Sequence, residues 1–283
     1  MNIVKRKIKK REYYYLKYSY RKNGKVTTKE KYLGKEIPRE LKKMDKELKK
    51  ESKKMEKEKL DAIKKNFQKE WNKIPKSIQE RELQEIAIAF TYNTNTIEGS
   101  TITLEETREI TKQHISPHKP LKDVKETEKH YQVFLEMLKK KEEISNKTIL
   151  EWHKQLFEET KQDIAGVYRE YLVRVGNYIA PDWQDVKKLI SECIDFMNNN
   201  KEMNPVELAA RSHCQFEKIH PFGDGNGRVG RLLINHILWH AGYPILIIEY
   251  KKRSSYYKAL QRGEEEFTKY FIRRYVGVHK KYI

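Results

Sequence analysis

Residues 220–231, His220-Pro221-Phe222-Gly223-Asp224-Gly225-Asn226-Gly227-Arg228-Val229-Gly230-Arg231, place a base, a carboxylate, four glycines and two arginines in one short stretch. Glycines on both sides of Asp224 and Asn226 let the backbone curl and aim several N–H groups in one direction, a concavity that attracts anions, usually phosphate. The stretch runs into an apolar segment (Val229, Leu232, Leu233, Ile234, Ile237, Leu238) that reads as a buried helix over 228–241. The start of such a helix adds unsatisfied N–H donors and the positive end of a dipole. Arg228 and Arg231, three apart, share a helix face and can reach one polyphosphate. Asp224 supplies the hard oxygen that Mg²⁺ prefers beside phosphates, and His220 could take a proton from an attacking hydroxyl near neutral pH. Together these groups suit phosphoryl or nucleotidyl transfer, in which a protein mainly positions groups and neutralises charge. The loop is not a Walker motif, because no Lys-Ser/Thr pair follows its last glycine.

The elements that must position this loop are mainly α-helical. Leu83, Ile86, Ala87 and Phe90 follow helical spacing, predicting a helix over about 80–99 that stops at Gly99, a residue tolerant of left-handed geometry. Thr103 and Glu106 form a capping-box pattern opening another helix. Further helices are expected near 122–141, 145–160, 183–199, 205–218, 254–262 and 264–275. Tyr171–Ile179, with β-branched residues around Gly176, reads as a short hairpin. Ahead of this main domain (73–283) lie two other textures. Residues 1–38 form a small basic β module. There Tyr14, Leu16, Tyr18 and Tyr20 alternate as in a strand, Asn23-Gly24 suits a two-residue turn, and the stretch 10–34 predicts a hairpin or three-stranded meander. Residues 39–72, rich in Lys and Glu with a sparse stripe of Leu41, Met44, Leu48, Met55 and Leu60, read as a charged connector helix.

Charge is distributed unevenly. The 283-residue chain carries a net +19, and residues 1–60 hold 23 Lys/Arg against 9 Asp/Glu. Any acidic partner therefore concerns the N-terminal module alone, and three readings stand for it: nucleic acid through phosphate contacts and stacking on tyrosines, an acidic protein target, or a soluble appendage with no specific partner. No run approaches the ~20 apolar residues of a membrane span, and the basic start has no apolar stretch behind it, so it does not read as a secretory signal. Cys193 and Cys214 lack CxxC spacing and read as reduced core thiols of a cytoplasmic protein. His236 and His240 sit four apart with no carboxylate partner, so packing or hydrogen bonding is expected of them instead of metal binding. His114 and His118 read as incidental, and Trp152 and Trp183 as core or surface anchors.

Residues 220–231 also match, at every fixed position, the HxFx(D/E)GNGRxxR motif of the Fic family, and the similarity extends over roughly 85–275. The resemblance implies a Fic-fold helical bundle with a β-hairpin flap, Mg²⁺-ATP as co-substrate, and transfer of AMP to Ser, Thr or Tyr hydroxyls with loss of pyrophosphate. It further implies His220 as general base and Asp224 as Mg²⁺ ligand. ATP contacts follow from Gly225, Asn226, Gly227 and Arg228 at the α- and β-phosphates, Arg231 at the γ-phosphate, and the intervening Val229 and Gly230. Val173, Arg174, Val175 and Gly176 lie where the family has its flap, and Tyr256-Tyr257 resembles a late tyrosine pair bordering the base. The presence of Asp224 favours AMP transfer over variant activities of the family. Thr94–Gly99 matches the family's inhibitory (S/T)xxxE(G/N) motif, which implies that Glu98 pairs with Arg231 and withholds it from ATP. Removal of AMP, use of another nucleotide or diphosphate-linked donor, and a nucleic-acid-binding regulator that only senses nucleotide are the alternatives. The expected partners are ATP, target proteins including the chain itself, and a second copy in a homodimer.

Overall fold

The structure is a computed structural model, and it describes the backbone of all residues except 1, 9, 10, 23, 24, 177 and 201. The expected Asn23-Gly24 turn lies outside the described residues, as do the side chains of Tyr18, Tyr20, Met44 and Leu48. The chain divides into two units, Met1–Lys59 and Leu60–Ile283.

In the first unit, β1 (Asn2–Ile8), β2 (Arg11–Lys22) and β3 (Lys25–Gly34) form an antiparallel sheet in the order β1-β2-β3. Strand β1 precedes the segment expected to be extended. Its apolar residues are diluted by lysines, a composition that masks period-2 alternation but suits an edge strand, where charge discourages further pairing. Ile3 lies opposite Leu16, the residue on which this small sheet closes its apolar side. The charged helix is one continuous element, α1 (Arg39–Trp71), whose C-terminal part belongs to the second unit. Met55 of its stripe is exposed, whereas Leu60, Ile63 and Phe67 are buried.

The second unit is helical: α2 (Lys76–Ile97), α3 (Leu104–Arg108), α4 (Leu121–Lys139), α5 (Asn146–Phe157), α6 (Val186–Asn199), α7 (Pro205–Ile219), α8 (Asn226–His240), α9 (Arg253–Gln261) and α10 (Glu264–Val278). Its flap is a two-residue ladder of β4 (Arg174–Val175) and β5 (Tyr178–Ile179). Helix α8 is apolar on all sides because two cores meet on it. Val229, Leu232 and Leu233 pack with Phe90, Phe134, Phe157 and Phe222, and Ile234 and Leu238 with Leu60, Phe67, Phe271 and Tyr275. Each such side chain contributes roughly 1.5–3 kcal/mol on full burial, and this anchors the start of α8 firmly.

Helix ends follow their capping chemistry. The Thr103–Glu106 capping box is present with both bonds formed, Ser145 caps α5, and Asn204 with Pro205 opens α7. Two helices differ from expectation. The one opened by Thr103 is short and passes into a π-helical turn, Glu109–Gln113, that stops at left-handed His114. The one expected from 183 begins with a 3₁₀ turn, Trp183–Asp185, capped by Asp182, before α6 proper.

Candidate active site

His220 ends α7 in the left-handed region (φ 51°, ψ 61°), which turns the chain sharply out of the helix and into the loop. Such geometry is costly for a non-glycine residue and must be held by its surroundings. Arg169 holds it. Nε donates to the His220 carbonyl at 2.8 Å, Nη1 to Tyr171 O at 2.7 Å and Nη2 to Pro181 O at 2.7 Å, while the Arg169 N–H donates to Pro221 O at 2.9 Å. One buried guanidinium therefore ties the histidine to both sides of the flap. The His220 Nδ1 lies 3.4 Å from Glu217 O, an acceptor that only a protonated Nδ1 can serve. That leaves the lone pair on Nε2. Burial, with the Arg169 charge, lowers the His220 pKa against the opposing pull of that carbonyl.

Asn226 closes the loop on itself. Its Oδ1 accepts from Phe222 N–H at 2.8 Å and its Nδ2 donates to Phe222 O at 2.9 Å. Its side chain thus shapes the cradle, and the backbone N–H groups of the first turn of α8 remain to face an anion. No side chain caps that helix start; its N-cap is Gly225, in the left-handed region (φ 81°). A Cβ on Gly225 would come within 2.3 Å of the Phe157 ring, so both the turn and the close packing require glycine. His153 supports the loop from beneath. Its Nδ1 accepts from Gly166 N–H at 3.0 Å, so Nε2 carries the proton given to Asp224 O at 3.0 Å. Its ring stacks on Phe222 with centroids 3.8 Å apart.

The charged groups are already paired. Asp224 Oδ2 meets Lys161 Nζ at 2.5 Å, and Oδ1 accepts from Gly225 N–H at 2.6 Å. Burial raises the Asp224 carboxyl, but the Lys161 bond and the Arg228 charge outweigh it and bring it to about 2. Arg228 donates to buried Glu126, and its guanidinium lies 4.3 Å over the Phe157 ring. Lys161 reaches Glu126 as well, at 3.0 Å. A polar cavity of about 140 Å³ opens beside these groups, lined in part by Glu98, Glu126, Lys161, Asp224 and Arg228.

Arg231 is buried (1% exposed), and its Nη2 meets Glu98 Oε1 at 2.5 Å and Thr94 O at 3.3 Å. Glu98 is the residue after the last turn of α2, and Gly99 follows in the left-handed region (φ 98°). A Cβ on Gly227 would stand 2.3 Å from Glu98 Oε1. The Glu98 carboxylate therefore lies against the first turn of α8 as well as on Arg231, an anion seated where the helix dipole favours one. The two arginines that spacing placed on one face are held by different carboxylates. Beneath them, Glu217 Oε1 is buried without a hydrogen-bond partner, and burial lifts its carboxyl to about 7 against the charge of Arg231.

Other expected residues lie at varying distance from this cluster. Arg174 and Val175 of the flap are exposed. Tyr256 is buried, its hydroxyl 2.6 Å from His213 Nε2, so Tyr257 alone of the pair presents surface. Val229 points into the core and its N–H donates to Gly225 O. His236 and His240 are bonded to the carbonyls of Glu142 and Met137, the polar packing expected of them. Sequence reasoning missed Arg169, His153, Lys161 and Glu126. Each reaches the loop from 51 to 102 positions away, and no local pattern marks such partners.

A sequence model of the Fic/DOC family matches residues 143–238. The chain is 33% identical over 203 residues to protein adenylyltransferase Fic of Nematostella vectensis, covering 69% of this chain and 47% of that protein. It is 34% identical over 208 residues to protein adenylyltransferase Fic of Drosophila willistoni, covering 70% and 41%. The chain thus spans less than half the length of these relatives. Among solved structures, Fic-1 from C. elegans aligns with a TM-score of 0.70 at 26% identity, over 82% of this chain and 72% of that one. A Fic domain containing signaling protein from Bacteroides thetaiotaomicron shares the fold, with a TM-score of 0.68 at 24% identity over 78% and 96%.

Proposed function

The chain belongs to the Fic/DOC family, and from that premise we propose that it transfers AMP from ATP to protein hydroxyls and that Glu98 holds this activity down. The observation that carries the reading is the position of the Glu98 carboxylate, on Arg231 and against the first turn of α8 at once. An enzyme whose arginine and helix start receive phosphates would be restrained by such an internal anion.

His220 Nε2 takes the proton of a target Ser, Thr or Tyr hydroxyl as its oxygen attacks the α-phosphorus. The new P–O bond forms as the bond to the bridging oxygen of the β-phosphate breaks, and pyrophosphate leaves. The N–H groups opening α8 and the Arg228 guanidinium hold the α- and β-phosphates, and Arg231, once free of Glu98, holds the γ-phosphate. Flap residues Val173–Gly176 would pair with an extended target segment and fix its hydroxyl near His220.

The donor set fits Mg²⁺. Asp224 is a single half-exposed carboxylate at a polar cavity, and no cluster of three or more His, Cys, Asp or Glu among the described residues could hold a metal alone. The ion would therefore be completed by phosphate oxygens and water, the set that Mg²⁺ prefers. When bound it supplies charge neutralisation at the phosphates. Lys161 must first release Asp224, and Glu126 at 3.0 Å is its ready alternative partner.

Incubation with labelled ATP and Mg²⁺ tests the reading. Glu98→Gly should raise self-labelling at least ~10-fold, the effect of recovering about 1.4 kcal/mol at the clamp. His220→Ala in that background should lower it by roughly 10²–10⁴. Equal labelling of wild type and Glu98→Gly would remove the brake. The mass added to the Glu98→Gly protein separates AMP from any other transferred group, and loss of AMP from a pre-modified protein would identify the reverse reaction.

A further inference from the structure

The N-terminal sheet has a chemistry that the transfer reaction does not use. Residues 2–34 hold 12 Lys/Arg against two acidic residues, Glu12 and Glu30. In the strand register, Arg6 lies opposite Tyr13, Val4 opposite Tyr15, Tyr15 opposite Tyr32, and Lys17 opposite Glu30. The two-residue alternation of strands puts all of these side chains on one face. Leu16 and Ile3, the sheet's apolar pair, point to the other. On the first face the three tyrosine rings form a contiguous cluster, with Tyr15–Tyr32 centroids at 5.3 Å and Tyr13–Tyr32 at 6.1 Å. Tyr32 is 55% exposed. Arg6 lies over the Tyr15 ring at 5.0 Å and is fixed there by Glu30 at 2.8 Å; Lys17 approaches the same carboxylate at 3.9 Å. The two acidic residues are thus each engaged by a neighbouring cation, Glu12 by Lys5 at 2.7 Å and Glu30 by Arg6.

We propose that this face binds single-stranded nucleic acid, its bases stacking on Tyr13, Tyr15 and Tyr32 and its phosphates held by the surrounding lysines and arginines. A cation-rich surface alone would attract any polyanion. Exposed Tyr32 and half-buried Tyr13 and Tyr15, clustered on a sheet, suit what only an unpaired base offers, a flat π face, and Arg6 already lies over one of these rings. A duplex keeps its bases inside the stack and cannot use the rings. An acidic protein offers charge but no succession of aromatic faces. The inference does not depend on the transfer reaction, since none of its residues belongs to that site.

Fluorescence anisotropy of labelled 20-nucleotide oligo-U and oligo-dT with the full chain tests it. The expected result is binding that weakens steeply as salt rises from 50 to 200 mM, and that is at least tenfold weaker for a duplex of the same length. Tyr15→Ala with Tyr32→Ala should lose at least tenfold in affinity at constant salt, and Tyr15→Phe with Tyr32→Phe should retain it, because the ring is kept and only the hydroxyl is lost. Far-ultraviolet circular dichroism shows whether the alanine pair still folds; should it not, the comparison of duplex with single strand and the phenylalanine pair decide. Comparison of oligo-U with oligo-dT separates RNA from DNA as the source. No binding, binding indifferent to salt, equal affinity for duplex, or equal competition by polyglutamate would each overturn the proposal, the last in favour of an acidic protein.

Discussion

At the scale of single residues, the loop's charges are all occupied before any substrate arrives. Asp224 is held by Lys161, Arg228 by Glu126 and Arg231 by Glu98, so binding is an exchange of partners. Lys161 is the member with no counterpart in the motif, and on the proposed reading it would compete with Mg²⁺ for Asp224. In the Glu98→Gly background, Lys161→Met should lower the Mg²⁺ concentration needed for half-maximal binding of a fluorescent ATP analogue by roughly tenfold, about 1.4 kcal/mol; Lys161→Arg should leave it high. An unchanged Mg²⁺ requirement in Lys161→Met would show that the lysine does not compete. His220 makes a separate prediction. A base acts in its neutral form, and burial lowers this histidine's pKa below the ordinary 6.5, so the acid-side decline of transfer by Glu98→Gly should be centred below pH 6.5. A decline centred above 6.5 would contradict this.

At the scale of elements, the cradle depends on what closes it. Asn226→Ala would leave the Phe222 N–H and C=O without their partner in a buried turn, at about 1–3 kcal/mol for each group. Urea denaturation should register that loss, and AMP transfer should fall with it even where the helical circular dichroism survives. Much of this level was legible in the sequence. The apolar texture around Val229–Leu238 marked α8 as central, the Thr103–Glu106 box is formed, and the glycines of the loop stand where turns and close approaches need them. The motif at 94–99 placed Glu98 at the end of α2, and the structure brings it to Arg231. What stayed hidden was the supporting shell. Arg169, His153, Lys161 and Glu126 are ordinary residues of ordinary helices and loops, and only tertiary folding makes them neighbours of the loop. Strand β1 was hidden for a different reason, since its lysines conceal the alternation on which a strand is recognised.

For the whole molecule, buried titratable groups set the response to acid. Burial holds His213 at about 3 and His153, His236 and His279 at about 4. Between pH 6.5 and 4 the unfolded chain takes up protons at these positions that the folded chain refuses, so stability falls with pH, by about 1.4 kcal/mol per unit for each proton in excess. Glu217 acts in the opposite sense. Its folded pKa of about 7 lies above the ordinary 4.5, so between those values the folded form binds the proton and offsets one histidine. Thermal melts should therefore drop steadily from pH 6.5 to 4, and Glu217→Gln should steepen that drop. A flat profile would mean that these histidines are protonated in the native state. The order of partners along the chain has one more consequence, which concerns how the protein is made. Glu98 precedes Arg231 by 133 positions. At ~5–20 residues per second, Glu98 is added to the chain roughly 7 to 27 s before Arg231. A chain translated from its beginning always contains the opposing carboxylate by the time the loop is complete, whereas translation from an internal start beyond residue 99 would release the loop without it.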